Sequence, residues 1–242
     1  VAHGAPDDSN VVKSGPPHRL DDLAELAVRL SSPNLFDRRG EVLFATAFSE
    51  GLGAVTTGAA GTGAAVDLFA GNSRQGAFCT RLTAGSDGAR YAQIYKTLAL
   101  PAACQVGLEL TISVEANTDY WKVRLLWYDG ATSHIGTIHV HHASHVLQYY
   151  SSGGVYTTFA SGVNLVELSS PTHTLKMVLD MEEDTYVRCI LNQTTYDLSA
   201  YSLFTQAAAT YPHLEALIAH YATAGNNPVA YLDNVIVTQN EP

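Results

Sequence analysis

The chain is poor in charge. Only 15% of its 242 residues are Asp, Glu, Lys or Arg, against about 25% in an ordinary soluble domain. Positive charge is the scarcer kind: 13 Lys and Arg stand against 23 Asp and Glu, for a net charge of −10. With no basic run to neutralise phosphates, nucleic acid is not an expected partner. Cysteine is scarce too. Cys79, Cys104 and Cys189 are odd in number and show no CxxC spacing, which argues against a zinc site or a thioredoxin-like motif. They read as three small buried hydrophobes, the alternative being one bridge and one free thiol. No apolar run reaches the about 18 residues of a spanning helix, so no membrane partner is expected. No basic segment leading into an apolar one opens the chain, so no secretion signal is legible, which leaves a form with its signal removed open.

What is plentiful is Gly (19) and Tyr (13), with Ser, Thr and Ala. These residues suit strands, turns and uncharged contact surfaces. The length fits one large all-β domain with a core that needs no staples.

The chain falls into three parts. Residues 1–19 carry Pro6, Pro16 and Pro17 among Asp7, Asp8, Ser9 and Asn10. They hold too little apolar surface to fold alone and read as an extended arm. Residues 20–40 are a short helix and linker: Leu20, Leu23, Leu26 and Leu30 recur at helical spacing, Asp21, Asp22 and Glu25 favour the positive end of the helix dipole, and Ser31-Ser32-Pro33 stops it. From residue 41 to 242 the apolar period drops from about 3.6 to about 2 residues.

Alternation marks strands at Leu108–Val114, Trp121–Trp127, Ile135–His142, Val146–Tyr150, Val155–Phe159, Leu175–Met181, Tyr186–Leu191, Thr194–Leu198 and Val229–Thr238. Asp129-Gly130, Ser151–Gly154, Glu182-Glu183-Asp184 and Asn192-Gln193 supply the turns. His213–Tyr221 alternates between tight breakers and reads as a strand, whereas Thr56–Ala65 reads as a Gly/Ala/Thr loop. Many short strands with regular turns predict an all-β, two-sheet sandwich or jelly roll.

Several pieces resemble carbohydrate-binding modules. Phe48-Ser-Glu-Gly-Leu52 is similar to their opening "F-E-x-G" strand, Ser73–Thr83 to their "S-G-x-Y-S-x-K-L" strand, and Tyr231-Leu-Asp-Asn-Val-Ile-Val237 to their closing strand. His173–Asp180 followed by Tyr186 and Leu191-Asn-Gln193 resembles the strand pair of concanavalin A-like and laminin-G-like domains. The resemblance spans about residues 41–238 and implies a lectin-like jelly roll. The order of Pro-rich arm, short helix, Phe36-Asp-Arg-Arg-Gly-Glu41 and sandwich also resembles structural proteins of tailed bacteriophages. That second likeness implies a capsid decoration or tail-associated protein.

Candidate sites are few. His134, His139, His141, His142 and His145 cluster, with His139 and His141 on one strand face. No acid or Cys completes a metal set nearby, so they read as a polar sheet surface with pH sensitivity as their one functional use. The catalytic "E-x-D-x-x-E" triplet of lectin-like glycosidases is absent, as are the G-x-S-x-G and H-E-x-x-H motifs. No enzyme and no catalytic residue is therefore expected. The resemblance implies a structural calcium ion on Glu50 and Asp233, the one cofactor considered. Trp121, Trp127, Tyr149 and Tyr150 are the candidate glycan platform, with core packing as the competing use of these rings.

Two functions follow. The first is a non-enzymatic virion protein that assembles with itself, for example as a trimer, and with neighbouring virion proteins. Its grip would be the arm and helix, through Pro6, Asp7, Asn10, Pro16, Pro17, Leu20, Leu23 and Leu26. An arm that orders on docking covers a large surface. The second is an extracellular carbohydrate-binding module or lectin with glycan as partner.

Overall fold

A computed structural model describes residues 40–74, 76–102, 104–223 and 225–242. The expected arm and helix lie outside these residues. The described residues form sixteen strands and no helix. They are β1 (Glu41–Thr46), β2 (Thr56–Ala60), β3 (Ala65–Phe69), β4 (Cys79–Thr83), β5 (Tyr91–Leu98), β6 (Gln105–Val114), β7 (Thr118–Tyr128) and β8 (Thr132–His141). There follow β9 (Val146–Tyr150), β10 (Tyr156–Ser161), β11 (Leu168–Asp180), β12 (Thr185–Leu191), β13 (Thr194–Asp197), β14 (Phe204–Ala207), β15 (His213–Ala222) and β16 (Val229–Gln239).

Two eight-stranded antiparallel sheets result. Sheet A runs β13-β12-β11-β6-β16-β4-β3, with β1 also on β16; sheet B runs β10-β9-β8-β7-β15-β5-β2, with β14 on β8. This is the all-β two-sheet sandwich that the alternation predicts. Sheet neighbours distant in sequence, such as β7 and β15, make the contacts long-range, as in Greek-key sandwiches.

The core lies between the sheets. Trp121, Val123, Leu125 and Trp127 of β7 and Leu214, Ala216 and Ile218 of β15 face Leu108, Leu110, Ile112 and Val114 of β6 and Leu175, Met177 and Leu179 of β11. Two polar groups cross this apolar layer fully paired. Trp121 donates from Nε1 to the Ser113 carbonyl at 2.9 Å. The Tyr186 hydroxyl accepts the Thr137 amide at 2.9 Å and donates to the Tyr150 carbonyl at 2.9 Å. Both bonds join sheet A to sheet B. Gly136 makes room for the same contact: a Cβ there would sit 2.3 Å from Leu179 Cδ1.

The sequence expectations need two corrections in the first third of the chain. Thr56–Ala65 is not a loop but holds β2 and the first residue of β3, joined across Gly61 (φ 99°) and Gly63 (φ 78°). Its small side chains pair with the large Tyr91, Gln93 and Tyr95 of β5, which take the space that a loop of such residues would leave. Phe48–Leu52 is not the opening strand but the turn after β1. Phe48 adopts a φ of 56° and buries its ring, which breaks the strand there. All three cysteines are free thiols; Cys79 and Cys189 are buried and Cys104 half-buried. Burial pushes the thiol of Cys79 up to about 11 and that of Cys189 up to about 12.

The chain enters and leaves the sandwich at one place. Glu41 pairs with Gln239, and Gly40 lies against Glu241. The Glu241 carboxylate is buried under sheet A, 2.7 Å from Lys176 Nζ and 3.2 Å from Arg188 Nη2. Gly107 leaves the space it occupies.

Candidate functional site

Alternation on β7 sends Trp121, Val123, Leu125 and Trp127 into the core, so Tyr120, Lys122, Arg124, Leu126 and Tyr128 point out of sheet B. The pairing registers carry that parity across the sheet. On β15 the outward residues are His213, Glu215, Leu217, Ala219 and Tyr221; on β8 they are Ser133, Ile135, Thr137, His139 and His141. Outward on β5 are Tyr91, Gln93, Tyr95 and Thr97; on β9 and β10 they include Gln148, Tyr150 and Tyr156.

These residues form rows across the strands. One row runs Tyr91, Tyr221, Tyr120, His141. The next runs Gly58, Gln93, Ala219, Lys122, His139, Gln148. A third holds Tyr95, Leu217, Arg124 and Thr137, with Tyr150 and Tyr156 beyond. The middle row is polar, and Gly58 and Ala219 keep it short between rows that carry tyrosine.

The rings touch one another in a continuous series over five strands. Tyr91 lies 5.6 Å from Tyr221, Tyr221 4.4 Å from Tyr120, Tyr120 4.4 Å from His139, and His139 3.7 Å from Tyr156. Tyr156 continues to Tyr150 at 4.9 Å, and Tyr150 to Phe204 at 5.1 Å. The Tyr221–Tyr120, Tyr120–His139 and His139–Tyr156 contacts are stacked, so these rings face one another. Burial and neighbouring phenols push the hydroxyls of Tyr120, Tyr156 and Tyr221 up. They remain neutral donors and acceptors. Burial, together with Lys122 and His141, pushes His139 down to about 2, so its ring is neutral.

The charge on this face is sparse. Glu215 accepts a 2.9 Å bond from Arg124 Nη2, and the Asp119 carboxylate, beside the register shift at the start of β7, reaches His141 Nδ1 at 3.7 Å. Lys122 stands beside Arg124 on the same strand. Burial and the charge of Arg124 push its ammonium down to about 8.

The residues proposed from sequence distribute differently. Trp121 and Trp127 are core residues, 0% and 3% exposed, and Tyr149 is buried at 8% against Tyr201 and Tyr186. These three cannot form a glycan platform, because alternation directs them to the other sheet. Tyr150 alone of the four lies on the outer face. The residues that build this face instead are Tyr91, Tyr120, Tyr156 and Tyr221. The signal for Tyr120 was present: once Trp121 and Trp127 are inside, their neighbours are outside.

The five histidines separate. His139 and His141 share the outer face. His134 reaches Asp184 at 2.7 Å and Asp129 at 3.4 Å, and His142 reaches Glu167 at 2.9 Å. His145 lies in the turn after β8 with a φ of 55°. Among the described residues no three His, Cys, Asp or Glu side chains converge as a metal set. The Asp233 carboxylate is buried and accepts the amides of Arg74 and Asn234 at 2.9 and 2.8 Å. Glu50 is exposed in the turn after β1. The arm residues lie outside the described part.

No protein-family model and no curated protein matches the sequence. Solved structures do match in shape. A cellulose-induced protein, Cip1, superposes with a TM-score of 0.54 at 14% identity, over 80% of this chain and 96% of that one. A sialidase superposes with a TM-score of 0.50 at 10% identity, over 86% of this chain but 19% of its own. The carbohydrate recognition domain of Emp46p gives 0.49 at 10% identity, over 84% and 95%. At such identities the likeness is one of fold, the two-sheet β-sandwich.

Proposed function

We propose that this chain is a non-catalytic carbohydrate-binding module that acts outside the cell, with the outer face of sheet B as its binding surface. The observation that carries the reading is the series Tyr91, Tyr221, Tyr120, His139, Tyr156 on the outer face of sheet B, with the tyrosines half-buried to exposed around a buried His139. Ring edges and phenol hydroxyls beside Gln93 and Gln148 offer a sugar both apolar contact and hydrogen bonds. The two acids near this face, Glu215 bonded to Arg124 and Asp119 beside His141, are each engaged with a basic side chain, which favours binding over hydrolysis by a free carboxylate pair. The structures of similar fold include a cellulose-induced protein and a sialidase, names that point to carbohydrate. Virion assembly rests on the arm and helix, which lie outside the described residues, and draws no support from the sandwich.

The test is affinity electrophoresis against a panel of soluble plant, microbial and animal polysaccharides. Retention by at least one, weakened about tenfold or more in the Tyr120→Ala/Tyr221→Ala double variant, is the expected result. Retention by none, or equal retention of the double variant, overturns the reading.

A further inference from the structure

We infer that the outer face of sheet B is built for an acidic sugar, the carboxylate of a uronic-acid unit being held between Lys122 and Arg124. The inference rests on the carbohydrate-binding reading above.

Lys122 and Arg124 both point outward from β7, two residues and so about 7 Å apart along the strand. Their cross-strand neighbours are Ala219 and His139 for Lys122, and Leu217 and Thr137 for Arg124. None of these is charged. Glu215 balances Arg124. Lys122 has no ion pair and no hydrogen bond among the described residues. A half-buried ammonium without a counter-ion is costly, because desolvation is not repaid. Burial and Arg124 lower its pKa to about 8, yet it stays mainly charged at neutral pH. In a chain of net charge −10, acids to pair with it are abundant, and none is placed there.

Two neighbouring polar atoms are also unsatisfied. Arg124 Nε and His139 Nε2 are buried without partners. His139 is neutral and only 4% exposed, so it adds a hydrogen-bonding atom without adding charge. A carboxylate brings two oxygens and one negative charge. One oxygen suits the Lys122 ammonium and the other the Arg124 guanidinium, as charge-assisted hydrogen bonds. Ala219, beside Lys122 in the same row, contributes only a methyl group and leaves space for the sugar ring. A neutral sugar would leave the ammonium uncompensated. A sulfate ester carries the same charge, and the experiment separates it from a carboxylate.

Titration calorimetry of the full chain at neutral pH and low salt uses polygalacturonate, alginate and a glucuronan, each with its methyl ester, plus a sulfated galactan. The expected result is that at least one uronan binds about tenfold or more tightly than its ester. Lys122→Gln removes that difference and Lys122→Arg keeps most of it. Lys122→Gln is expected to melt no lower than the parent, since it removes an unpaired buried charge. Equal binding of acid and ester, or an unchanged preference in Lys122→Gln, overturns the inference. So does tighter binding of the sulfated galactan than of every uronan. If neutral polysaccharide binds and the double tyrosine variant loses it, while no acid is preferred, the carbohydrate reading stands and this one falls. If no polysaccharide of either kind binds, both fall.

Discussion

Arg124 and Glu215 meet at 2.9 Å across β7 and β15, with side chains 23% and 18% exposed. The bond fixes the guanidinium and cancels its charge, so the excess positive charge of the face resides on Lys122. Replacing Glu215 by Gln frees a second cation. The expected outcome is a stability loss of about 1 kcal/mol in urea and severalfold tighter binding of a uronan in calorimetry. Weaker uronan binding would mean that Glu215 orients Arg124 more than it neutralises it.

Alkaline stability carries the mark of Lys122. Its folded pKa of about 8 lies below the ordinary lysine value of 10.5, so between them this group binds more protons in the unfolded chain and contributes a rise of stability with pH. The groups around it do not oppose this: His139 is neutral, Arg124 stays charged and is paired with Glu215, and the phenols of Tyr120, Tyr156 and Tyr221 keep their protons past pH 10. The buried thiols of Cys79 and Cys189, pushed up to about 11 and about 12, act in the opposite sense: from about pH 9 the unfolded chain loses their protons first, as it does those of its tyrosines above about pH 10, and stability falls. Urea midpoints from about pH 9 to 11 are expected to fall, and to fall more steeply in Lys122→Met, which lacks the offsetting contribution.

Acid acts through buried imidazoles. His139 and His220 have pKa values pushed down by burial to about 2 and about 4. Below the unfolded value near 6.5 the unfolded chain takes up protons first, so stability falls as the pH is lowered. Melting temperature is expected to drop between pH 7 and pH 4, and less steeply in His220→Gln.

The Tyr186 hydroxyl serves two backbone groups of sheet B at 2.9 Å. Tyr186→Phe leaves the Thr137 amide and the Tyr150 carbonyl to find other partners inside the sandwich. A loss of about 1–3 kcal/mol is expected from denaturant unfolding. A loss near zero would mean that water replaces the hydroxyl.

Gly136 tests the packing beside it. A methyl group there would overlap Leu179. Gly136→Ala is expected to cost about 1–3 kcal/mol in the parent, and less when it is introduced into a Leu179→Ala chain, as a double-mutant cycle reads.

Much of the sandwich is legible in the sequence because alternation is local. Leu108 to Val114, Trp121 to Trp127 and Leu175 to Met181 fall inside β6, β7 and β11, and the ambiguous His213–Tyr221 is β15. The strands missed lie in the first hundred residues and at β14, and β2 shows one reason. β2 is Thr, Gly and Ala, and its partner β5 carries Tyr91, Gln93 and Tyr95 on one side. The candidate site was harder for a different reason. Tyr91, Tyr120, His139, Tyr156 and Tyr221 come from five strands, and only the cross-strand register brings them together. Large aromatic residues attract attention first, yet Trp121 and Trp127 are large because they fill the core. The smaller signal, Lys122 and Arg124 alternating between them, marks the outer face.

Gly40 and Glu241 lie together on sheet A, the sheet that turns its back on the tyrosine series. The described chain thus enters and leaves on the side of the sandwich away from the tyrosine series. The same closeness suits the domain to insertion into another protein or to circular permutation with new ends in a surface turn. Immobilisation through either end should therefore leave ligand capture intact, whereas attachment at the β9–β10 turn should block it.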